Sequence, residues 1–371
     1  MTKPHFPGRV MWWSLLPLLL LLILAVLLGN GHVGAPERGQ SGLPVGVLGD
    51  SDSQSYQGRI AIGPVAAVTP PAGGRFHAAT FQWPEVLARM RGTTLHLGPW
   101  GTWGVPRWQS FARVRDGLGL RWRGPQKEDY RHNLAWSSGC ESLMEGPWRQ
   151  APRLLDIMDE DPLWWSRGVV VIRIGVNTFG KDSLDLLAED PHAPLVRQQM
   201  DSCLDAIRQS VSLIHGRHPD TRFVLVGIFN NVHWTGYFEK FPSPQAQNNI
   251  AVGLDYFDNG LRRFVQEDPH RRAFFDDRAW FERHWGGRGT DGRPAYRPVD
   301  LGLGWPVTNT EGDDPRNAVL ANGHAGLVWN VLWVQSLVDL MRTSFSLDIP
   351  AVSDDEARSF VAKSLISPPA P

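Results

Sequence analysis

Gly168-Val169-Val170-Val171-Ile172-Arg173-Ile174 is the stretch on which the fold turns. A strand with one wet face alternates apolar and polar residues. This one runs through four consecutive branched apolar positions, so both of its faces must be covered. The same pattern recurs at Pro44-Val45-Gly46-Val47-Leu48, at Arg222-Phe223-Val224-Leu225-Val226-Gly227-Ile228 and, more briefly, at Ala273-Phe274-Phe275. Between these runs the pattern predicts helices over 83–91, 149–159, 194–216 and 245–266, and a last major helix over 326–342. Strands alternating with helices predict a three-layer α/β/α sandwich with a mainly parallel sheet. In such sheets the reactive loops gather at the carboxyl ends of the strands, so a candidate site residue should follow a strand.

Composition narrows the partners. The chain has 371 residues, with 37 basic against 38 acidic side chains, and that balance gives no reason to expect a nucleic-acid partner. Two cysteines cannot build a disulfide framework or a Cys-rich zinc site, and no cofactor or metal is expected. In an exported chain Cys140 and Cys203 would pair; Cys140 equally suits a small core position. Asp50-Ser51-Asp52 faintly suggests a calcium loop, but the sixth position, where glycine is required, is Ser55.

The first 31 residues read as a segment apart from the fold. Lys3 and Arg9 precede an uncharged run from Val10 to Gly29, long enough as a helix to cross a bilayer. The expectation is a membrane anchor with a cytoplasmic amino terminus, which places the rest of the chain on the periplasmic or extracytoplasmic side. The rival is a signal peptide cut after Val33-Gly34-Ala35, which would secrete the chain. Residues 32–43 read as a linker, 44–345 as the folded domain, and 346–371 as a tail with one short helix opened by Ser353-Asp354-Asp355-Glu356.

Four loops pass the strand-end criterion or precede the last helix. They are Gly49-Asp50-Ser51-Asp52-Ser53, Asn133 to Gly139, Gly175-Val176-Asn177, and Asn322-Gly323-His324. Taken singly, Ser51 would serve as a helix cap, the glycines as turn formers, Asn177 as a turn residue and His324 as a loop histidine. Together and in this order they resemble the SGNH/GDSL hydrolase family. The resemblance covers Val45 to Met341 and implies a flavodoxin-like sheet and serine-esterase chemistry. It makes Ser51 the nucleophile and His324 the general base, with an oxyanion hole from Ser51, Gly139 and Asn177. Asp50 and Asn322 would support them.

The residue types suit that chemistry on physical grounds. A serine hydroxyl needs a base to take its proton, and neutral histidine suits that task near pH 7. Attack on an ester carbonyl places negative charge on oxygen, which fixed N–H donors must meet. One position departs from the family: Ala321 stands where it carries an aspartate that orients the histidine. The orienting group would then be a backbone carbonyl, Asn322, Asp313 or Asp314, or be missing.

The chain carries 17 Trp against 5 Tyr, and flat indoles beside a site suit sugar faces or acyl chains. Trp100 and Trp103, with Trp83 and Trp108 nearby, are expected to rim the site and bind substrate; holding an irregular loop is their plainer role. The stretches 178–194 and 285–309 read as insertions, with Gly286-Gly287-Arg288-Gly289 as a flexible lid. The functional expectation is an exported, membrane-tethered esterase acting on a small-molecule or glycan ester. An O-acyltransferase using the same acyl-enzyme, and a degenerate ligand-binding relative, are the alternatives.

Overall fold

The computed structural model describes residues 41–59, 71–104 and 125–366. The apolar run Val10 to Gly29, the proposed cleavage point and Trp108 lie outside the described residues. Among the described residues no helix is long and apolar enough to cross a membrane.

The strands are β1 (Leu43–Gly49), β2 (Leu95–His96), β3 (Trp100–Trp103), β4 (Lys127–Tyr130), β5 (Val169–Arg173), β6 (Arg222–Val226), β7 (Arg272–Phe275), β8 (Thr308–Glu311) and β9 (Asn317–Val319). Five of them form a parallel sheet in the order β2-β1-β5-β6-β7. The remaining four make an antiparallel pair, β3 with β4, and a small parallel pair, β8 with β9. The uninterrupted apolar runs are accounted for by what covers them. Val45, Val47, Val169, Val171, Val224 and Val226 enter one core, while Leu48, Val170, Ile172, Phe223 and Leu225 enter the other. Successive side chains of a strand alternate between faces, so a sheet with two dry faces needs apolar residues at every position.

The helices are α1 (Trp83–Arg91), α2 (Gln150–Met158), α3 (Pro162–Trp165), α4 (Lys181–Glu189), α5 (Pro194–His215), α6 (Pro244–Gln266), α7 (Asp277–Trp285), α8 (Leu327–Phe345) and α9 (Asp354–Ile366). Helices α1, α7, α8 and α9 supply the first core; α2 to α6 supply the second. The expected three layers are therefore present. Part of the stretch read as an insertion is helix α4, whose Leu184 and Leu187 are buried, with Leu187 filling the space beside Gly253 of α6. Leu184 and Leu187 lie three residues apart, a spacing that puts them on one helical face.

The carboxyl-terminal helix packs into the first core through Ala357 and Val361. Arg91 of α1 grips it with a bidentate pair to Glu356 at 2.6 and 2.8 Å and also donates to the carbonyls of Pro350 and Ala351. The expected capping box is only half made: Ser353 Oγ accepts from the Glu356 N–H, but the Glu356 carboxylate goes to Arg91. A charge-assisted fork outweighs a single bond to a backbone N–H.

Two expectations about loops are corrected here. Trp83 does not rim a site; it is fully buried, donates to Ser53 Oγ at 3.1 Å and lies 4.9 Å from the Trp333 ring. The Gly286–Gly289 stretch is not a free lid, because the Arg288 guanidinium donates to the carbonyls of Val232, Tyr237, Phe238, Phe241 and Gly292. Four of these carbonyls, Val232, Tyr237, Phe238 and Phe241, belong to the loop after β6 and pin the stretch to it. Trp333 of α8 sits between Trp83 and Phe275 and donates to Asp277 Oδ1 at 2.8 Å. Trp333→Ala should therefore lower unfolding free energy by about 3–5 kcal/mol, read from the urea midpoint at unchanged slope.

Candidate active site

Strand order reverses beside β1: its first successor in the sheet, β2, lies on one side and β5 on the other. Such a reversal leaves a crevice at the carboxyl ends of the two central strands. Ser51 follows β1 and Gly175 to Asn177 follow β5, so two candidate blocks stand at that crevice. The other side of β1 is built differently. Short β2 pairs only with Leu43 and Pro44, and above it His132 to Trp136 takes over. Val47 N–H donates to His132 O, Leu134 N–H to Val47 O and Trp136 N–H to Gly49 O. That added ladder delivers Ser137 to Gly139 to the same end of the sheet.

The turn carrying Ser51 is held from several directions. Asp50, buried, accepts from the N–H of Asp52 and the N–H of Gly175, each at 3.1 Å. Gln150 takes both backbone groups of Gly49 at 2.8 Å. Ser55 Oγ donates to Asp129 at 2.6 Å, and the backbone N–H groups of Tyr56 and Gln57 donate to the buried Glu85 carboxylate. Asn133 closes the frame by donating to Ser53 O and Asp129. Gly175 sits at φ +133°, a region that favours glycine.

His324 lies on a tight turn between β9 and α8, closed by Leu320 N–H to His324 O at 2.7 Å and Gly323 N–H to Leu320 O at 2.8 Å. Its Nδ1 meets Asn322 Oδ1 at 3.2 Å, so Asn322 stands where the orienting carboxylate is missing. Asp313 and Asp314 are engaged elsewhere, with the Ala321 N–H and with Arg316. Tyr56 spans the two turns: its hydroxyl donates to Ala325 O at 2.9 Å and its ring lies edge-on to the His324 ring, 6.5 Å between centroids. Asp52, next to Ser51, and His324 line one small cavity of about 30 Å³. The Ser51 hydroxyl and the His324 imidazole are not hydrogen-bonded to each other. Much larger grooves, of about 560 and 440 Å³, lie elsewhere, and none of Ser51, Asn177 and His324 lines either.

The cavity exposes residues that the sequence reading passed over. Arg173, at the end of β5, is buried; it donates to Asp52 O at 3.1 Å and to Asp277 at 3.2 Å. Phe229, His233, Trp234 and Trp329 form the aromatic wall. Burial, with Arg288 and Arg278 adding to it, pushes His233 down to about 4, so it is neutral at pH 7 and bonded to the Tyr296 hydroxyl. The signal for these residues was available: an arginine closing an otherwise apolar strand, and a loop following β6. Trp100 and Trp103 sit on β3, where Trp103 donates to Asp129 O and Trp100 packs edge-on to Tyr130. Neither lines the cavity.

The three donors expected to meet an oxyanion are differently engaged. Among the described residues no acceptor takes the N–H of Ser51 or of Gly139. The Asn177 amide donates to Ser138 O at 3.2 Å, and Cys140 N–H donates to Thr178 Oγ1 at 3.0 Å, so the second and third blocks are bonded together. Cys140 is disulfide-bonded to Cys203 of α5. Scanned against family models and searched against curated proteins, the chain finds no match.

Two buried carboxylates give the site a pH signature. Burial raises Asp50 to about 7, with the Asp52 charge adding to it, and burial raises Glu85 to about 7. The folded chain thus holds protons that the unfolded chain has released. This contribution to stability is fully present below about pH 4 and is lost as pH rises to about 7. Each group contributes a slope of up to about 1.4 kcal/mol per pH unit. Urea unfolding between pH 4.5 and 7.5 should show the wild type losing stability faster with rising pH than Glu85→Gln does.

Proposed function

We propose that the protein is an exported serine esterase of the SGNH/GDSL type, with Ser51 as nucleophile and His324 as general base. The observation that carries this reading is the meeting of the Ser51 and His324 turns at one cavity. Asp52 of the Ser51 turn and His324 line that cavity, Ser51, Gly139 and Asn177 do not, and the Ser51 N–H, one residue from Asp52, has no acceptor among the described residues. His324, oriented through Asn322, takes the Ser51 proton as Oγ attacks the ester carbonyl. The negative oxygen is met by Ser51 N–H, Gly139 N–H and the Asn177 amide. Collapse expels the alcohol, which receives the proton from His324, and water then releases the acid by the same steps in reverse order. Unliganded sites often hold such pairs apart until substrate arrives, which fits the separate Ser51 and His324 side chains.

The cavity beside His324 has room for only a few heavy atoms and an aromatic wall, which favours an acetyl-sized acyl group over a long chain. A carbohydrate alcohol remains the preferred other half of the substrate, and the aromatic side chains on the cavity wall, Phe229, Trp234 and Trp329, are its candidate contacts in place of Trp100 and Trp103. Export is supported by the Cys140–Cys203 disulfide, a bond that persists in oxidising compartments.

A fluorophosphonate probe should label the wild type at Ser51 and leave Ser51→Ala unlabelled. Asn177→Ala should lose about 10²–10³ in kcat on an aryl acetate while KM stays nearly constant. Acetylated glycans should be hydrolysed faster than long-chain aryl esters. Full turnover by Ser51→Ala would sink the reading, and product formation that depends on an added sugar acceptor would turn it into a transferase.

A further inference from the structure

Gly139 and Asn177 cannot serve one anion in the arrangement described. The Asn177 amide donates to Ser138 O, and that carbonyl belongs to the same peptide unit as the Gly139 N–H. In a planar trans peptide the C=O and N–H point in opposite directions. The Gly139 N–H is therefore directed away from the Asn177 amide, and Ser138 O occupies the place beside that amide where a substrate oxyanion would sit.

The geometry points to a peptide that turns over: the Ser138–Gly139 unit rotates by about half a turn when substrate binds, exchanging Ser138 O for the Gly139 N–H beside Asn177. This inference rests on the esterase reading and adds how its anion hole is switched on. Three observations carry it. Gly139 has φ −86° and ψ −176°, dihedrals open to any residue, so the resting backbone angles do not require glycine, although a Cβ there would displace the Glu141 side chain and crowd Thr178 Oγ1. Rotating the plane by about 180° takes φ of Gly139 to about +94°, a region that glycine enters freely and other residues resist. The far side of the turn is anchored. Cys140 is fixed by its disulfide to Cys203 and by its N–H to Thr178, and Gly139 O accepts from both the N–H and the hydroxyl of Ser142. Rotation can thus be confined to one peptide plane, with ψ of Ser138 and φ of Gly139 as its two axes.

The test is a crystal structure of the full folded domain with Ser51 phosphonylated by a small alkyl fluorophosphonate, whose phosphoryl oxygen mimics the oxyanion. The expected result is Gly139 at φ near +90°, with its N–H and the Asn177 amide both on that oxygen and the Asn177–Ser138 bond broken. An adduct with Gly139 still near −86° overturns this inference and leaves the esterase reading standing. Failure to form any adduct at Ser51 overturns the esterase reading and takes the switch with it. A solution measurement runs beside it. Gly139→Ala should keep the wild-type melting temperature within a few degrees and KM within about threefold, while kcat falls at least tenfold. Because an added Cβ would press on the Glu141 carboxylate, its nearest neighbour, and on Thr178 Oγ1, the variant is also made with Glu141→Ala, which removes the nearer contact and keeps the Thr178 hydroxyl that holds Cys140 N–H. Wild-type kcat in either folded variant overturns the proposal.

Discussion

The Asp50 carboxylate joins the two central strands at the point where the chain leaves them. One of its oxygens takes the N–H of Asp52 and shapes the turn that presents Ser51; the other takes the N–H of Gly175 and fixes the exit from β5. A fully buried carboxylate is unfavourable unless hydrogen-bonded, and here its two partners come from two different strands' ends. The turn after β1 therefore cannot shift without disturbing the turn after β5. Gln150 performs the same service for Gly49 from the other face, taking its N–H and its carbonyl together.

Polar groups concentrate where the sheet is driest. Arg173, Asp277, Asp50 and Glu85 are all buried, and each is partnered: Arg173 by Asp277 and a backbone carbonyl, Glu85 by three backbone N–H groups. Removing one member would leave another charge or donor stranded in a low-dielectric setting, which is more damaging than the pair is helpful. The candidate site is thus built on a frame that resists local adjustment.

The layers of the fold were readable because burial on both faces leaves an unmistakable trace: no polar residue within Val169 to Ile172, and helical periodicity on either side. Helix α4 was not read, since Lys181 to Glu189 is short and its signal is only the Leu184–Leu187 pair. The pinning of Gly286–Gly289 was invisible for another reason. Arg288 finds four of its five carbonyls on a loop some fifty residues earlier, and no local pattern encodes such a contact. At the candidate site, the logic of strand ends and chain order singled out Ser51 and His324, and the structure sets Asp52 of the Ser51 turn and His324 on one cavity. Asn322 emerged among several possible orienting groups, and only three dimensions showed that Asp313 and Asp314 were already engaged. Arg173 and the aromatic wall were not legible as site residues because their place at the cavity depends on contacts distant in sequence, such as Arg173 with Asp277 and Trp329 of α8 beside the loop after β6.

The order of strands also bears on how the chain acquires its shape. β1 precedes the other strands of its sheet in sequence but sits in the interior of that sheet, and its long partner β5 is synthesised more than a hundred residues later. Until then, among the described residues, it is bordered on one edge by the two-residue β2 and the His132–Trp136 segment, and its other edge, the one that β5 will cover, lacks its partner. Pairings so distant in sequence form slowly, and an unpaired apolar edge invites association with other nascent chains. Production of this protein should accordingly be limited by capture of incomplete chains, and conditions that slow synthesis or shield the early segment should raise the soluble yield.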